Sequence, residues 1–204
     1  ITAKLTANLL EKSGVDRVLA MDLHSAQIQG YFDIPCDHIY GSPVLIDYLE
    51  SLDLEEIVVV SPDVGGVARA RAFAKLMNDA PLAIIDKRRA AHNIAESLTV
   101  IGEVKGKTAI LIDDMIDTGG TICSGANLLK KEGANRIFAC ASHAVFSPPS
   151  HERLSSKNLF EQVIVTNSIP VIYKDNFPQL KVLSVANMLG EAIWRIHEES
   201  SVSS

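Results

Sequence analysis

The stretch AILIDDMIDTGGT, residues 109–121, decides the fold of this chain. It opens with four apolar residues, which are typical of a strand buried on both faces, and two adjacent carboxylates follow where that strand ends. A short loop containing Thr118, Gly119 and Gly120 then leads into a helix predicted over 121–131. A buried strand that runs through a loop into a helix indicates an α/β fold, with ligands bound at the carboxyl end of the strand.

The same alternation extends along most of the chain. Short apolar runs predict further strands, and helical patterns separate them. The predicted strands are 15–23, 57–60, 82–86, 108–112, 136–144 and 163–166. Hydrophobic residues make up 47% of the chain but aromatic residues only 5%, so the core has to be aliphatic. We therefore predict a mainly parallel sheet flanked by helices.

Composition narrows the possible partners and the compartment. The chain has 204 residues and a formal net charge of -6, so no broad basic face is expected, and nucleic acid and anionic membranes are not expected partners. The three cysteines are far apart and lack metal-site spacing, which predicts buried free thiols. The chain shows no signal peptide and no apolar run long enough to span a bilayer, so we expect a cytoplasmic protein.

The first residues have a helical pattern but lack the residues that usually start a helix. Ile1, Leu5 and Leu9 lie on one helical face, Gly14 ends the helix, and neither a capping residue nor a methionine precedes Ile1. The expectation is a fragment that begins inside a helix.

The loop after the first quoted strand has the chemistry of a sugar phosphate site. Free amides at the start of a helix and the hydroxyls of Thr118 and Thr121 form a cradle for phosphate. Asp113 and Asp114 would repel that phosphate, so sugar hydroxyls or a metal ion are their natural partners. Phosphate at one end and a diol at the other describe ribose 5-phosphate. The alternative is an ordinary strand–turn–helix whose Asp and Thr residues only cap the helix.

A second motif, SPDVGGVARAR at residues 61–71, also follows a buried strand. Asp63 stands at the strand end before the Gly65-Gly66 turn, and one carboxylate together with substrate phosphates is a common environment for Mg²⁺. The alternative is a tight turn with no ligand.

Two further stretches are candidates. His24 follows a predicted strand in the segment 22–37, where a histidine could equally be a satisfied polar group. The cations 87–89 (Lys-Arg-Arg) follow the strand 82–86 and open a polar segment, 87–97, that is predicted to be a mobile loop. Such a loop can supply positive charge on closing, although a solvated loop is the alternative.

Taken in their order along the chain, these four motifs resemble those of the ribose-phosphate pyrophosphokinase (PRPP synthetase) family, which has a phosphoribosyltransferase-like fold. The resemblance covers essentially all 204 residues. It implies pyrophosphoryl transfer from ATP to ribose 5-phosphate, with Mg²⁺ as the cofactor and a homohexamer as the assembly.

The resemblance also implies a role for each candidate residue. Lys87 and Arg89 are the implied catalytic residues, and His24 and Asp63 the implied metal ligands. The implied ribose 5-phosphate contacts are Arg89, Asp113, Asp117, Thr118, Gly119, Gly120 and Thr121. Gly119 stands where the family commonly has alanine, a change expected to leave function unaltered.

The implied organisation has three parts. Residues 1–40 would be the tail of a first phosphoribosyltransferase-like domain, residues 41–189 a second such domain, and residues 190–204 a helix that packs back on the first. The family's N-terminal part, which helps to seat adenine, is then missing, so this chain by itself is expected to be inactive.

Two other functions remain as alternatives. A phosphoribosyltransferase that consumes PRPP would keep the ribose phosphate loop but would not need the His24 segment or the cations at 87–89. A non-catalytic regulatory subunit of the synthetase would keep the fold and lose catalytic residues, yet His24, Asp63, Lys87 and Arg89 are all present.

Overall fold

A computed structural model describes residues 2–88, 97–156, 158–172 and 177–202. Along the chain the elements are α1 (Thr2–Lys12), β1 (Val18–Met21), a 3₁₀ helix (Ala26–Tyr31), β2 (Cys36–Ile39), α2 (Ser42–Glu50), β3 (Ile57–Ser61), α3 (Val67–Leu76), β4 (Leu82–Arg88), β5 (Ser97–Ile101), β6 (Thr108–Ile116), α4 (Gly120–Lys131), β7 (Arg136–Ala144), α5 (Ser150–Leu154), β8 (Gln162–Thr166), β9 (Leu180–Leu183) and α6 (Ala186–His197). They fall into two compact units, Ser42–Ser184 and Ile1–Gly41 with Val185–Ser204.

The larger unit is built on a seven-stranded sheet in the order β5-β4-β3-β6-β7-β8-β9. Neighbouring strands are parallel except β4 and β5, which are antiparallel. The central strands are apolar and rich in β-branched residues, as a sheet covered on both faces requires. The prediction of an α/β fold with a parallel-dominated sheet flanked by helices is therefore confirmed.

Alternate residues of the central strands enter two separate cores. Val58, Val60 and Leu111 pack on the face that α4 covers, whereas Val59 and Ile110 pack with residues of α2 and α3 on the opposite face. Because the side chains of a strand alternate between faces, one apolar run serves both layers.

The smaller unit contains α1, β1, the 3₁₀ helix, β2 and α6. Strands β1 and β2 are parallel, and Arg17 on the approach to β1 pairs with Asp37 of β2 at 2.6 Å. Ala7 is fully buried in α1, but Leu5 and Leu9 are more than half exposed.

Several elements differ from the sequence-based predictions. Strand β6 continues to Ile116, because its pairing with β7 extends to the partners Ile116 and Ala144. Asp113 therefore lies within a strand and not in a loop. The short strands β2, β5 and β9 were not predicted, since polar or charged residues interrupt their apolar pattern.

The cysteines and the helices bear on two predictions that were drawn from composition. Cys123 and Cys140 are buried free thiols as predicted, but Cys36 is half-buried, so the expectation was wrong in degree for that residue. Within the described part of the chain, none of the helices has the length and apolar character needed to cross a bilayer.

Candidate active site

Three of the predicted motifs meet at one edge of the large sheet. Strands β3, β4 and β6 are adjacent and parallel, so their carboxyl ends reach the same edge. Asp63 follows β3, Lys87 is the last but one residue of β4, and Asp113 lies near the end of β6. Ligands of open α/β sheets bind at such edges, which makes this edge the candidate site.

The predicted sugar phosphate residues line a single depression. Its volume is about 140 Å³, and its walls are Asp113, Met115, Ile116, Asp117, Thr118, Gly119, Gly120, Thr121 and Ile122. The described residues that were assigned to ribose 5-phosphate are therefore brought together. Arg89, the remaining residue of that assignment, lies outside the described residues.

The start of α4 gives this depression an anion-binding end. Gly119 precedes the helix in a left-handed conformation with φ +72°, and its carbonyl accepts the first helical hydrogen bond, from Cys123 N at 3.0 Å. The amides of residues 120–122 precede that bond and have no helical carbonyl to bind. Together with the helix dipole, these amides favour a phosphate.

The other end of the depression is acidic. Asp113 is partly exposed, whereas the neighbouring side chain, Asp114, is only 1% exposed. Asp114 N donates to Asp113 Oδ1 at 2.9 Å. Burial raises the pKa of Asp113 to about 7, and a side-chain hydrogen bond with Asp114 and the negative charge of Asp114 act in the same direction, whereas the backbone hydrogen bond from Asp114 N lowers it. This carboxyl group can therefore change its protonation state near neutral pH.

Arg69 joins this acid pair to the second motif. It lies on α3, directly after the turn that carries Asp63, and its Nη1 donates to Asp113 Oδ1 at 3.3 Å and to Asp114 Oδ1 at 3.0 Å. Its positive charge lowers the pKa of Asp113 and so opposes the effect of burial. No local pattern in the sequence predicts a role for Arg69, because only the pairing of β3 with β6 places it beside residues more than 40 positions away.

Asp63 forms a tight turn that leaves part of its carboxylate available. Its Oδ1 accepts from Gly66 N at 2.8 Å, and its carbonyl accepts from Ser61 Oγ at 2.6 Å. Oδ2 has no hydrogen bond to a described residue. A β-carbon on Gly66 would lie 2.9 Å from Ser61 Oγ, so a side chain there would displace the hydroxyl that donates to the Asp63 carbonyl. The exposed carboxylate is an oxygen ligand of the kind that Mg²⁺ prefers.

Lys87 lies in a strand and not in a mobile loop as predicted. It is exposed near the end of β4 and is paired with Leu98 of β5. The antiparallel pairing of β4 with β5 keeps the backbone extended through residue 88, despite the run of charged residues. The strand therefore fixes the backbone from which the lysine projects.

His24 belongs to the smaller unit. The segment that carries it is held from β2: His38 Nε2 accepts from Leu23 N at 2.9 Å, and Gln29 Nε2 lies 3.3 Å from His38 Nδ1. Asp22 adopts φ 41° and its Oδ2 accepts from Gly41 N at 2.7 Å. The contacts of His38 explain why this polar residue is found within the short strand β2.

The described residues contain no preformed metal cage. No group of three or more His, Cys, Asp or Glu side chains among them is arranged to hold a metal ion. A metal at this edge would have to take most of its ligands from substrate phosphates and water, as Mg²⁺ commonly does.

Comparison with known proteins places the chain in a family. Residues 89–204 match the phosphoribosyl synthetase-associated domain family. The chain is 95% identical over its whole length to the ribose-phosphate pyrophosphokinase of Prochlorococcus marinus subsp. pastoris, and 82% identical to that of Parasynechococcus marenigrum. It spans 62% of the length of each of these relatives.

A solved structure agrees with these relatives. The crystal structure of phosphoribosylpyrophosphate synthetase from Mycobacterium smegmatis superposes with a TM-score of 0.89 at 44% identity, over 98% of this chain and 64% of that one. The resemblance drawn from the four motifs is therefore confirmed. The chain belongs to the phosphoribosyl synthetase-associated domain family and is similar over its full length to ribose-phosphate pyrophosphokinases.

Proposed function

We propose that the protein to which this chain belongs is a ribose-phosphate pyrophosphokinase, which transfers the pyrophosphoryl group of ATP to the 1-hydroxyl of ribose 5-phosphate. The observation that carries the proposal is the depression that joins the start of α4 to Asp113. It offers amides and hydroxyls to a phosphate at one end and a carboxylate to a diol at the other. The high identity to proteins of that name supports the same activity.

Ribose 5-phosphate is assigned to this depression. Its phosphate lies against the amides of residues 120–122 and the hydroxyls of Thr118 and Thr121. The left-handed conformation of Gly119 shapes the loop, and the absence of a side chain on Gly120 lets the backbone approach the phosphate. The ribose hydroxyls donate to Asp113. Asp117, the first residue after β6, lines the same depression.

ATP is assigned to the neighbouring strand ends together with Mg²⁺. Asp63 suits this cation because one carboxylate oxygen is fixed by the turn and the other is available. His24 is the second proposed ligand, an assignment that rests on the family resemblance. When bound, Mg²⁺ neutralises negative charge on the nucleotide phosphates.

The residues of the chain mainly position the substrates for the transfer. The ribose O1 forms a bond to the β-phosphorus, the bond from that phosphorus to the oxygen shared with the α-phosphate breaks, AMP leaves, and the hydroxyl proton passes to water. Lys87, and Arg89 beyond the described residues, supply positive charge to the transferring group.

The domain arrangement and the assembly belong to the same proposal. Residues 1–40 are taken as the tail of a first phosphoribosyltransferase-like domain, residues 41–189 as the second, and residues 190–204 as a helix that packs back on the first. A homohexamer follows from the family resemblance. The three free thiols support the cytoplasm as the compartment.

The test is AMP formation by the full-length protein from ATP and Mg²⁺, with and without ribose 5-phosphate. We expect AMP only when the sugar phosphate is present. Lys87→Ala should lower kcat about 100-fold or more, because it removes a charge that acts in the transition state. Lys131→Ala, which removes an exposed lysine at the far end of α4, should stay within about twofold of the parent. No AMP from the complete protein would overturn the proposal and favour a regulatory subunit.

A further inference from the structure

The short helix α5 packs against the loop that leads from β6 into α4, residues 117–120, which is the phosphate loop of the proposed site. Leu154 is buried, and a β-carbon on Gly119 would lie 3.3 Å from Leu154 Cγ. The left-handed Gly119 therefore packs directly against α5. The shape of the loop between β6 and α4 depends on this contact.

Arg153, the residue before Leu154, binds the loop itself. Its Nη1 donates to Thr118 O at 3.0 Å, and a β-carbon on Gly120 would lie 3.3 Å from the same nitrogen. The guanidinium thus lies beside two residues of the loop. By accepting this bond, the Thr118 carbonyl is held at Arg153.

Arg153 also changes the charge balance of the loop. Residues 113–122 include three aspartates and no lysine or arginine, although the proposed ligand carries a phosphate dianion. Its influence reaches the first turn of α4: burial raises the pKa of Cys123 to about 11, and the charge of Arg153 lowers it in part. The guanidinium therefore places positive potential at the anion-binding end of the depression.

We propose that Arg153 is a positioning and specificity residue for the 5-phosphate, an inference that rests on the proposed function. Its hydrogen bond holds the loop with the helix-start amides available, and its charge favours a dianionic phosphate over a monoanionic group. It acts through the loop and its potential. It is therefore a positioning residue and not a catalytic one.

The test compares two ligands and three variants of the full-length protein. Dissociation constants are measured by calorimetry for ribose 5-phosphate and for ribose 5-sulfate, which carries one negative charge less. Arg153→Gln keeps a neutral donor for Thr118 O, and Arg153→Lys keeps the charge. Lys131→Gln makes the same charge change about 16 Å along α4 and is the control.

We expect Arg153→Gln to weaken ribose 5-phosphate binding about tenfold, and ribose 5-sulfate binding much less. Arg153→Lys should restore most of the preference for phosphate, and Lys131→Gln should match the parent. Equal weakening of both ligands without rescue by lysine would overturn the inference, because a purely structural role predicts that pattern. Binding of both ligands within about twofold of the parent in all variants would overturn it as well.

The same measurements separate this inference from the proposed function. If the parent binds ribose 5-phosphate but forms no AMP from ATP, the proposed function fails and the variants still decide the role of Arg153. If the parent does not bind ribose 5-phosphate, both are overturned.

Discussion

Arg69 Nη1 lies 3.0 Å from Asp114 Oδ1, so the helix that follows the Asp63 turn is tied to the acid pair of the neighbouring strand. The same nitrogen lies 3.3 Å from Asp113 Oδ1. Because Asp114 is almost completely buried, its negative charge needs a partner that is equally fixed. The ion pair therefore connects the proposed nucleotide and ribose ends of the site.

Replacing Arg69 should destabilise the protein. Arg69→Gln leaves a buried carboxylate beside a second acid, and removing one partner of such a pair costs about 2–3 kcal/mol. The free energy of unfolding in urea at pH 7 measures the loss. Arg71→Gln, which changes an exposed arginine on the same helix, is the control.

A double variant makes this prediction specific. Arg69→Gln combined with Asp114→Asn should recover part of the lost stability, because the uncompensated charge is gone. A loss below about 0.5 kcal/mol in the single variant would show that the pair contributes little.

Asp113 should make the protein less stable as pH rises towards neutrality. Its pKa of about 7 in the folded protein is above that of an unfolded aspartate, so the folded state holds a proton that the unfolded state releases. The associated stability is fully present below about pH 4, is lost up to about pH 7, and changes little above that.

Asp113→Asn should remove this dependence. The stability of the variant relative to the parent should be about 3 kcal/mol more favourable at pH 8 than at pH 4.5, measured by urea unfolding at both values. Asp47→Asn, at an exposed position on α2, is the control. Parallel pH profiles for the parent and Asp113→Asn would contradict the assignment.

Gly119→Ala should weaken the fold more than the function. Its φ of +72° costs alanine about 1 kcal/mol, and the new β-carbon would press on Leu154 Cγ at 3.3 Å. The methyl group points at α5 and not into the depression, so ribose 5-phosphate affinity should stay within about threefold of the parent. Thermal unfolding and calorimetry together check this. Unchanged stability with lost binding would reverse the interpretation.

Thr121→Val should affect ribose 5-phosphate and spare ATP. The substitution keeps the shape of the side chain and removes a hydroxyl that donates to the phosphate, which should raise the KM for ribose 5-phosphate about tenfold. The KM for ATP should change less than about twofold. Ser124→Ala, one turn further along α4, is the control, and an equal rise in both KM values would contradict the placement.

The sequence was sufficient for the parts of the fold that are coded locally. The apolar runs of β3, β6 and β7 predicted a parallel sheet, and the glycine and threonine residues at 118–121 predicted the loop. Strand β5 was not predicted because its own residues do not show a strand pattern. Its extended conformation depends on the hydrogen bonds that it forms with β4. The end of β6 was placed too early for a similar reason. Pairing with β7 continues the strand past two aspartates to Ile116.

Contacts between distant segments were beyond prediction. Arg69 and Arg153 reach their partners over separations of 44 and 35 residues, and no local pattern distinguishes them from other surface arginines. Arg69 reaches its partners because β3 and β6 are neighbours in the sheet. Arg153 reaches its partner because α5 packs against the phosphate loop.

The most direct test follows the oxygen on C1 of ribose 5-phosphate. The sugar phosphate is labelled with ¹⁸O at its 1-hydroxyl and mixed with ATP, Mg²⁺ and the full-length protein, and the products are read by ³¹P NMR before the label exchanges with water. If that hydroxyl attacks the β-phosphorus, the label appears in the bridge between C1 and the β-phosphorus, and AMP is unlabelled. Loss of the label to water, or the absence of ribose-dependent AMP, would contradict pyrophosphoryl transfer at this site.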